Sequence, residues 1–175
     1  MPVPEKVVCV FGSNEPAAGS DAWREAFGVG RRLAELGFAV ANGGYGGTME
    51  ASARGAREAG GSTIGVTCSV WSSRPNAYIE HAIVTPSLAD RLGKLIELGT
   101  CGYVVLPGAT GTLAELACVW EQMCKKLLPR RPLACMGTFW QPVVDLMAAA
   151  RPRCAAFVTL CGDLDAMSDL FGAAK

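Results

Sequence analysis

The chain has a single histidine, His81, and none of its eight cysteines stands in a C-x-x-C pair. A Cys/His zinc site needs closely spaced thiol and imidazole ligands, so no metal centre is expected. Net charge is missing too, because sixteen Lys and Arg balance sixteen Asp and Glu. Without a global field the chain has no electrostatic reason to collect nucleic acid or an anionic membrane surface. No apolar run reaches bilayer length, and the first residues, MPVPEK, lack the pattern of a secretion signal. A cytoplasmic protein is therefore expected, with its cysteines reduced and acting as small core residues. Two nucleotide fingerprints are absent. Gly-Lys is nowhere followed by Ser or Thr, which excludes a P-loop, and no G-x-G-x-x-G follows a strand. A NAD-linked oxidoreductase is disfavoured for that reason and for want of a separate substrate domain.

What is present suits a covered sheet. Half of the 175 residues are hydrophobic, 18% are charged and 21 are glycine. That length fits one domain, 1–175, with a full core. Apolar runs at 6–11 (KVVCVF), 38–41, 62–67, 82–85, 103–106, 132–136 and 156–160 read as strands. Between them, 21–36, 48–59, 88–98, 113–126 and 140–150 read as helices, with a last helix over 164–171. Residues 68–82 show no period and are long enough for a lid or substrate loop. The alternation predicts an α/β, Rossmann-like, doubly wound and mostly parallel sheet flanked by helices.

One stretch organises the rest. Residues 104–115, VVLPGATGTLAE, read as a buried strand stopped at Pro107, a small-residue turn and a helix start. Small residues let the backbone approach an anion, and the free N–H groups of the helix face it. A second glycine turn, 42–47 (NGGYGG), follows another strand. In an open parallel sheet both turns lie on the carboxyl rim, where ligands collect. A phosphorylated small molecule, such as a nucleotide, is the expected partner. Glu115 is either a charge complementing the helix dipole or a catalytic group beside bound phosphate.

These motifs resemble a known family. Residues 107–115 resemble the P-G-G-x-G-T-x-x-E signature of the LONELY GUY (LOG) family, once mislabelled lysine decarboxylases. Residues 8–13, 42–50, 61–66, 91–98 (RLGKLIEL) and 116–122 are similar to its other segments, so the likeness runs from about 6 to 150. The resemblance implies a Rossmann-like fold, a homodimer, and hydrolysis of the N-glycosidic bond of nucleoside 5′-monophosphates, cytokinin ribotides or AMP. Free base and ribose 5-phosphate are the products, and no cofactor or metal takes part. It further implies Arg91 and Glu115 as the catalytic pair. Gly108, Thr110, Gly111 and Thr112 form the implied phosphate cradle. The positions that surround the nucleotide are, by the same resemblance, Gly12, Ser13, Gly43, Gly44, Gly46, Gly47 and Thr48.

Three departures from the pattern bear on function. Ala109 replaces the signature's second glycine, a penalty if that position needs positive φ. Between Arg91 and Pro107 the chain is one residue longer than usual, near 100–102. Glu50, where cytokinin-activating members carry glycine, is closer to a sister group that includes molybdenum-cofactor carriers. The alternative reading is accordingly a non-catalytic carrier or sensor of a phosphorylated ligand. Elsewhere, Trp71 and Tyr78 read as stacking residues or as packing, and His81 as structural. Lys125, Lys126, Arg130 and Arg131 read as a solvated loop or dimer edge. Leu116, Val119, Trp120 and Met123 form an apolar stripe suited to core or dimer contact.

Overall fold

The computed structural model describes residues 4–71 and 74–173. In chain order the elements are β1 (Val7–Phe11), α1 (Asp21–Glu35), β2 (Ala39–Asn42), α2 (Thr48–Glu58), β3 (Thr63–Cys68), β4 (His81–Thr85) and α3 (Leu88–Leu98). They continue as β5 (Gly102–Val105), α4 (Thr110–Cys124), β6 (Leu133–Met136), α5 (Gln141–Ala150), α6 (Pro152–Ala155), β7 (Thr159–Cys161) and α7 (Leu164–Gly172). The strands form one parallel sheet in the order β4-β3-β2-β1-β5-β6-β7, the expected doubly wound arrangement.

The strands read as continuous apolar runs because both faces are covered. Side chains alternate between two cores. Val7, Cys9, Phe11, Tyr103, Val105 and Cys135 point to a layer filled by Leu95 of α3 and by Leu116, Val119 and Met123 of α4. Val8, Val10, Val40, Val104 and Met136 point to the other, filled by Val29 and Leu33 of α1, Ala51 of α2 and Phe171 of α7. The stripe on α4 is thus core packing rather than a free dimer face: Leu116, Val119, Trp120 and Met123 are all at most 5% exposed. Trp120 also donates its indole N–H to the Cys154 carbonyl at 2.8 Å, tying α4 to α6.

Two boundaries differ by three residues from the sequence expectation. The last strand is three residues, Thr159–Cys161, because 152–155 form a short helix with Pro152 in its first turn. Phe157 and Val158 then pack on the core without joining the ladder. The second difference matters for function. Helix α4 begins at Thr110, not Leu113, since the Ala109 carbonyl already accepts from the Leu113 N–H at 3.0 Å.

The irregular region, 68–82, has a topological reason, though Ser72 and Ser73 lie outside the described residues. Parallel β3 and β4 are neighbours, so the chain must cross from one end of the sheet to the other between Cys68 and His81. It does so without a helix among the described residues. The first part of this crossover therefore remains on the carboxyl rim.

Candidate functional site

Strand β1 lies between β2 and β5. The chain leaves β1 toward β2 and later returns on its other side to form β5, so the loops beyond the two strands diverge. That switch point is where an open α/β sheet leaves a crevice. A cavity of about 750 Å³ opens there.

One wall comes from the turns after β1 and β2. Gly12 and Ser13 line it, as do Tyr45, Gly46 and Met49. Thr48, at the start of α2, holds this wall from behind. Its hydroxyl donates to the Ser13 carbonyl at 3.0 Å and accepts from the Ser13 N–H at 2.9 Å. The Thr48 N–H donates to the same carbonyl at 2.9 Å. Gly47 precedes it with φ +63°, and a β-carbon there would strike the backbone of Ser13 and Asn14. Buried Asn42 folds the turn, donating to the Met49 carbonyl and accepting from the Gly44 N–H, each at 2.8 Å. Gly44, Gly47 and Thr48 therefore shape the site, whereas Gly46 faces it.

The opposite wall is the turn after β5 and the first turns of α4, where Ala109, Gly111, Thr112 and Glu115 line the cavity. Gly108 lies in that turn and Thr110 opens α4, but neither lines the cavity. Because α4 starts at Thr110, the threonine-glycine-threonine run offers helical N–H groups rather than loop ones. Helices α1, α3 and α7 are capped by Ser20, Ser87 and Asp163, but Ala109 gives α4 no side-chain cap. Its orphan donors and positive end are left toward the cavity. Ala109 has φ −94°, ordinary for an L-residue, so its replacement of glycine strains nothing.

Arg91 and Glu115 meet between the walls. Ser87 caps α3 so that Arg91 lies in its first turn, on the same rim as the start of α4. Arg91 Nη1 is 3.7 Å from Glu115 Oε1, with both side chains nearly buried. The Nε–H donates to the Val66 carbonyl at 2.8 Å. That carbonyl lies beyond the end of β2, whose last pair is Asn42 with Gly65. The guanidinium is also 5.5 Å from the Tyr45 ring centroid and 5.8 Å from that of Trp71. Burial pushes the Glu115 carboxyl up to about 7, with the nearby Arg91 charge pulling it back down. The longer α3–β5 connection does not disturb this pair. It is taken up at 99–102, at the far end of β5, where the Thr100 hydroxyl donates to the Glu5 carbonyl at 2.7 Å.

Other residues singled out from the sequence lie elsewhere. Glu50 does not line the cavity. Tyr78 packs against the Arg54 guanidinium, 5.6 Å from its ring centroid, and His81 starts β4 beside Glu80. Arg130 donates to the Ala156 carbonyl, and Arg131 to Gly99 at 2.8 Å, so both secure loops. Sequence reasoning missed Tyr45, Arg74 and Asn76. The last donates to the Gly44 and Tyr45 carbonyls at 3.1 and 2.8 Å and pins the crossover to the second glycine turn. In the sequence this wall was signalled only by the aperiodic segment 68–82 with Trp71 in it and by the second glycine turn, which holds Tyr45.

Comparison with known proteins agrees with this architecture. The profile of the SLOG cluster4 family matches residues 5–129. An uncharacterised protein of Archaeoglobus fulgidus is 42% identical over 108 residues, 62% of this chain and 69% of that protein. Among solved structures, the molybdenum cofactor binding protein of Rippkaea orientalis superposes with a TM-score of 0.80 at 20% identity, covering 98% of each chain. The molybdenum cofactor carrier protein of Chlamydomonas reinhardtii does so with a TM-score of 0.77 at 22% identity, covering 97% of each. At such identities these two structures establish the shared fold.

Proposed function

The chain belongs to the SLOG cluster4 family, within the LOG-related superfamily, and on that premise we propose that it is a phosphoribohydrolase of purine nucleoside 5′-monophosphates. In this reaction the C1′–N bond breaks and its electron pair leaves with the base, which takes up a proton. The oxygen of water bonds to C1′ and loses its proton, giving free base and ribose 5-phosphate. The observation that carries the reading is the buried Arg91–Glu115 pair, 3.7 Å apart, beside the uncapped start of α4.

The chemistry follows from the residue types. Phosphate seats on the α4 N–H groups, with Ser13 facing it across the crevice. The ribose then lies over Glu115, about one turn further along the helix. Departure of the base leaves oxocarbenium charge on the sugar, which the carboxylate opposes. The same carboxylate, with a pKa near neutrality, accepts the proton of the attacking water. Arg91, seated on the Val66 carbonyl, orients Glu115 and favours its ionised form. The route uses no metal or cofactor. The resemblance also carries a homodimer, which light scattering of the purified chain tests.

Ribose 5-phosphate release from AMP and from isopentenyladenosine monophosphate, with Glu115→Gln as control, is the direct experiment. Release by the natural chain alone supports the enzyme, and no release from any nucleotide sinks it. A second reading, a carrier of a phosphorylated ligand, is favoured by the near full-length likeness to a molybdenum cofactor binding protein and a carrier protein. It predicts a ligand that co-purifies unchanged and in stoichiometric amount.

A further inference from the structure

The cavity spans four strands. Trp71 follows β3 and Gly111 and Thr112 follow β5, with β2 and β1 between them. Three inter-strand steps are roughly 14 Å, a span that an extended nucleoside monophosphate fills. Phosphate at α4 therefore directs the ring of the ligand toward Trp71.

At that end the wall is aromatic and apolar. Trp71 stands edge-to-face with Tyr45, ring centroids 5.8 Å apart, with the Arg91 guanidinium against both rings. It still leaves 43% of its surface exposed. Met49 and Val70 complete this part of the lining. Several polar groups nearby are engaged by the fold. The Asn76 amide donates to Gly44 and Tyr45, and its oxygen accepts from the Tyr78 N–H at 3.0 Å. The Tyr45 hydroxyl accepts from the Cys68 N–H at 2.9 Å. Arg91 is occupied by Val66 and Glu115. Arg74 is exposed at the rim, placed to attract an anion rather than to read a ring edge.

We propose that this site reads its ligand's ring by face and not by edge, with Trp71 as the stacking residue, so that purine bases are accepted with little discrimination. The proposal rests on the reading that the cavity takes a phosphorylated ring compound. Edge recognition discriminates by leaving buried partners unpaired when the wrong ring enters. A stacking surface does not, because every base has a π-face. Selectivity then resides in the phosphate.

The test is equilibrium binding of AMP, GMP, IMP and ribose 5-phosphate to the full chain, carried out in a Glu115→Gln background so that nucleotides stay intact. The three nucleotides should bind within tenfold of one another. Trp71→Ala should weaken each at least fivefold while changing ribose 5-phosphate affinity less than twofold, and Trp71→Phe should restore most of the loss. Discrimination above tenfold, a smaller loss in Trp71→Ala, an equal loss for ribose 5-phosphate, or no nucleotide binding would each overturn it. The two readings separate cleanly. Base-tolerant, Trp71-dependent binding without hydrolysis sinks catalysis and leaves the stacking. Hydrolysis confined to one base does the reverse.

Discussion

The Arg91 guanidinium occupies the space that a β-carbon on Gly43 would fill. A side chain from the first turn of α3, near the sheet's edge, thus reaches across the end of β3 to rest on the backbone that follows β2. Glycine is required at 43 for room, and the Arg91 bond to Val66 holds the arm in that position.

Gly43→Ala should therefore displace Arg91 rather than unfold the chain, since the obstructing atoms end a flexible side chain. Overpacking of this kind costs roughly 1–3 kcal/mol. Ribose 5-phosphate release should fall on the order of tenfold or more as Glu115 loses its orientation. Gly93→Ala, in the helix that carries Arg91 but with open space around it, is the control. It should keep full activity and melt no lower than the natural chain, because alanine favours a helix by up to about 1 kcal/mol.

The acid–base role assigned to Glu115 predicts the pH profile. Its carboxyl titrates near 7 and must be ionised to act, so kcat/KM should rise through about pH 7 and level off above it. Glu115→Gln should lose roughly 100-fold or more and show no limb at that pH. An unshifted profile in the variant would assign the limb to the substrate phosphate instead.

Stability should move in the opposite sense. The folded carboxyl is raised from 4.5 to about 7, so the folded state binds a proton more tightly than the unfolded one. The contribution is fully present below pH 4.5 and is lost as pH rises through 7. A shift of this size corresponds to roughly 3 kcal/mol. Thermal melts between pH 5 and 8 should show the natural chain losing stability relative to Glu115→Gln as pH rises. Parallel curves would mean that Glu115 is better solvated than its burial indicates.

Ala109→Gly restores the glycine of the signature. With φ −94° the alanine is unstrained, so the change should destabilise by about 0.4–1 kcal/mol through the unfolded chain's entropy. Nucleotide binding should not improve by more than a few-fold, because the α4 N–H groups are already presented. A large gain in melting temperature would show that the alanine had been strained after all.

Several features were legible without coordinates because they are local. Buried parallel strands betray themselves as continuous apolar runs, and glycine turns at their ends mark the carboxyl rim. The order of these signals along the chain was enough for the doubly wound sheet and for the motifs around Gly12, Gly46 and Gly111. Local signals misled where tertiary contact overrides propensity. Threonine and glycine at 110–112 look like loop yet form the first turn of α4, and Phe157 and Val158 look like strand yet pack without pairing.

By itself the sequence determined the order of the strands and main helices, the fold class and a small-residue turn leading into a helix after β5, since each depends on residues adjacent in the chain. The family resemblance had implied the Arg91–Glu115 pair, but only tertiary structure showed how Arg91 reaches Glu115 from a different helix, that Gly43 makes room for it, and that Trp71, Tyr45 and Asn76 close the far wall. It also decided the Glu115 pKa, because desolvation belongs to the packing around a carboxyl and not to the carboxyl's place in a motif.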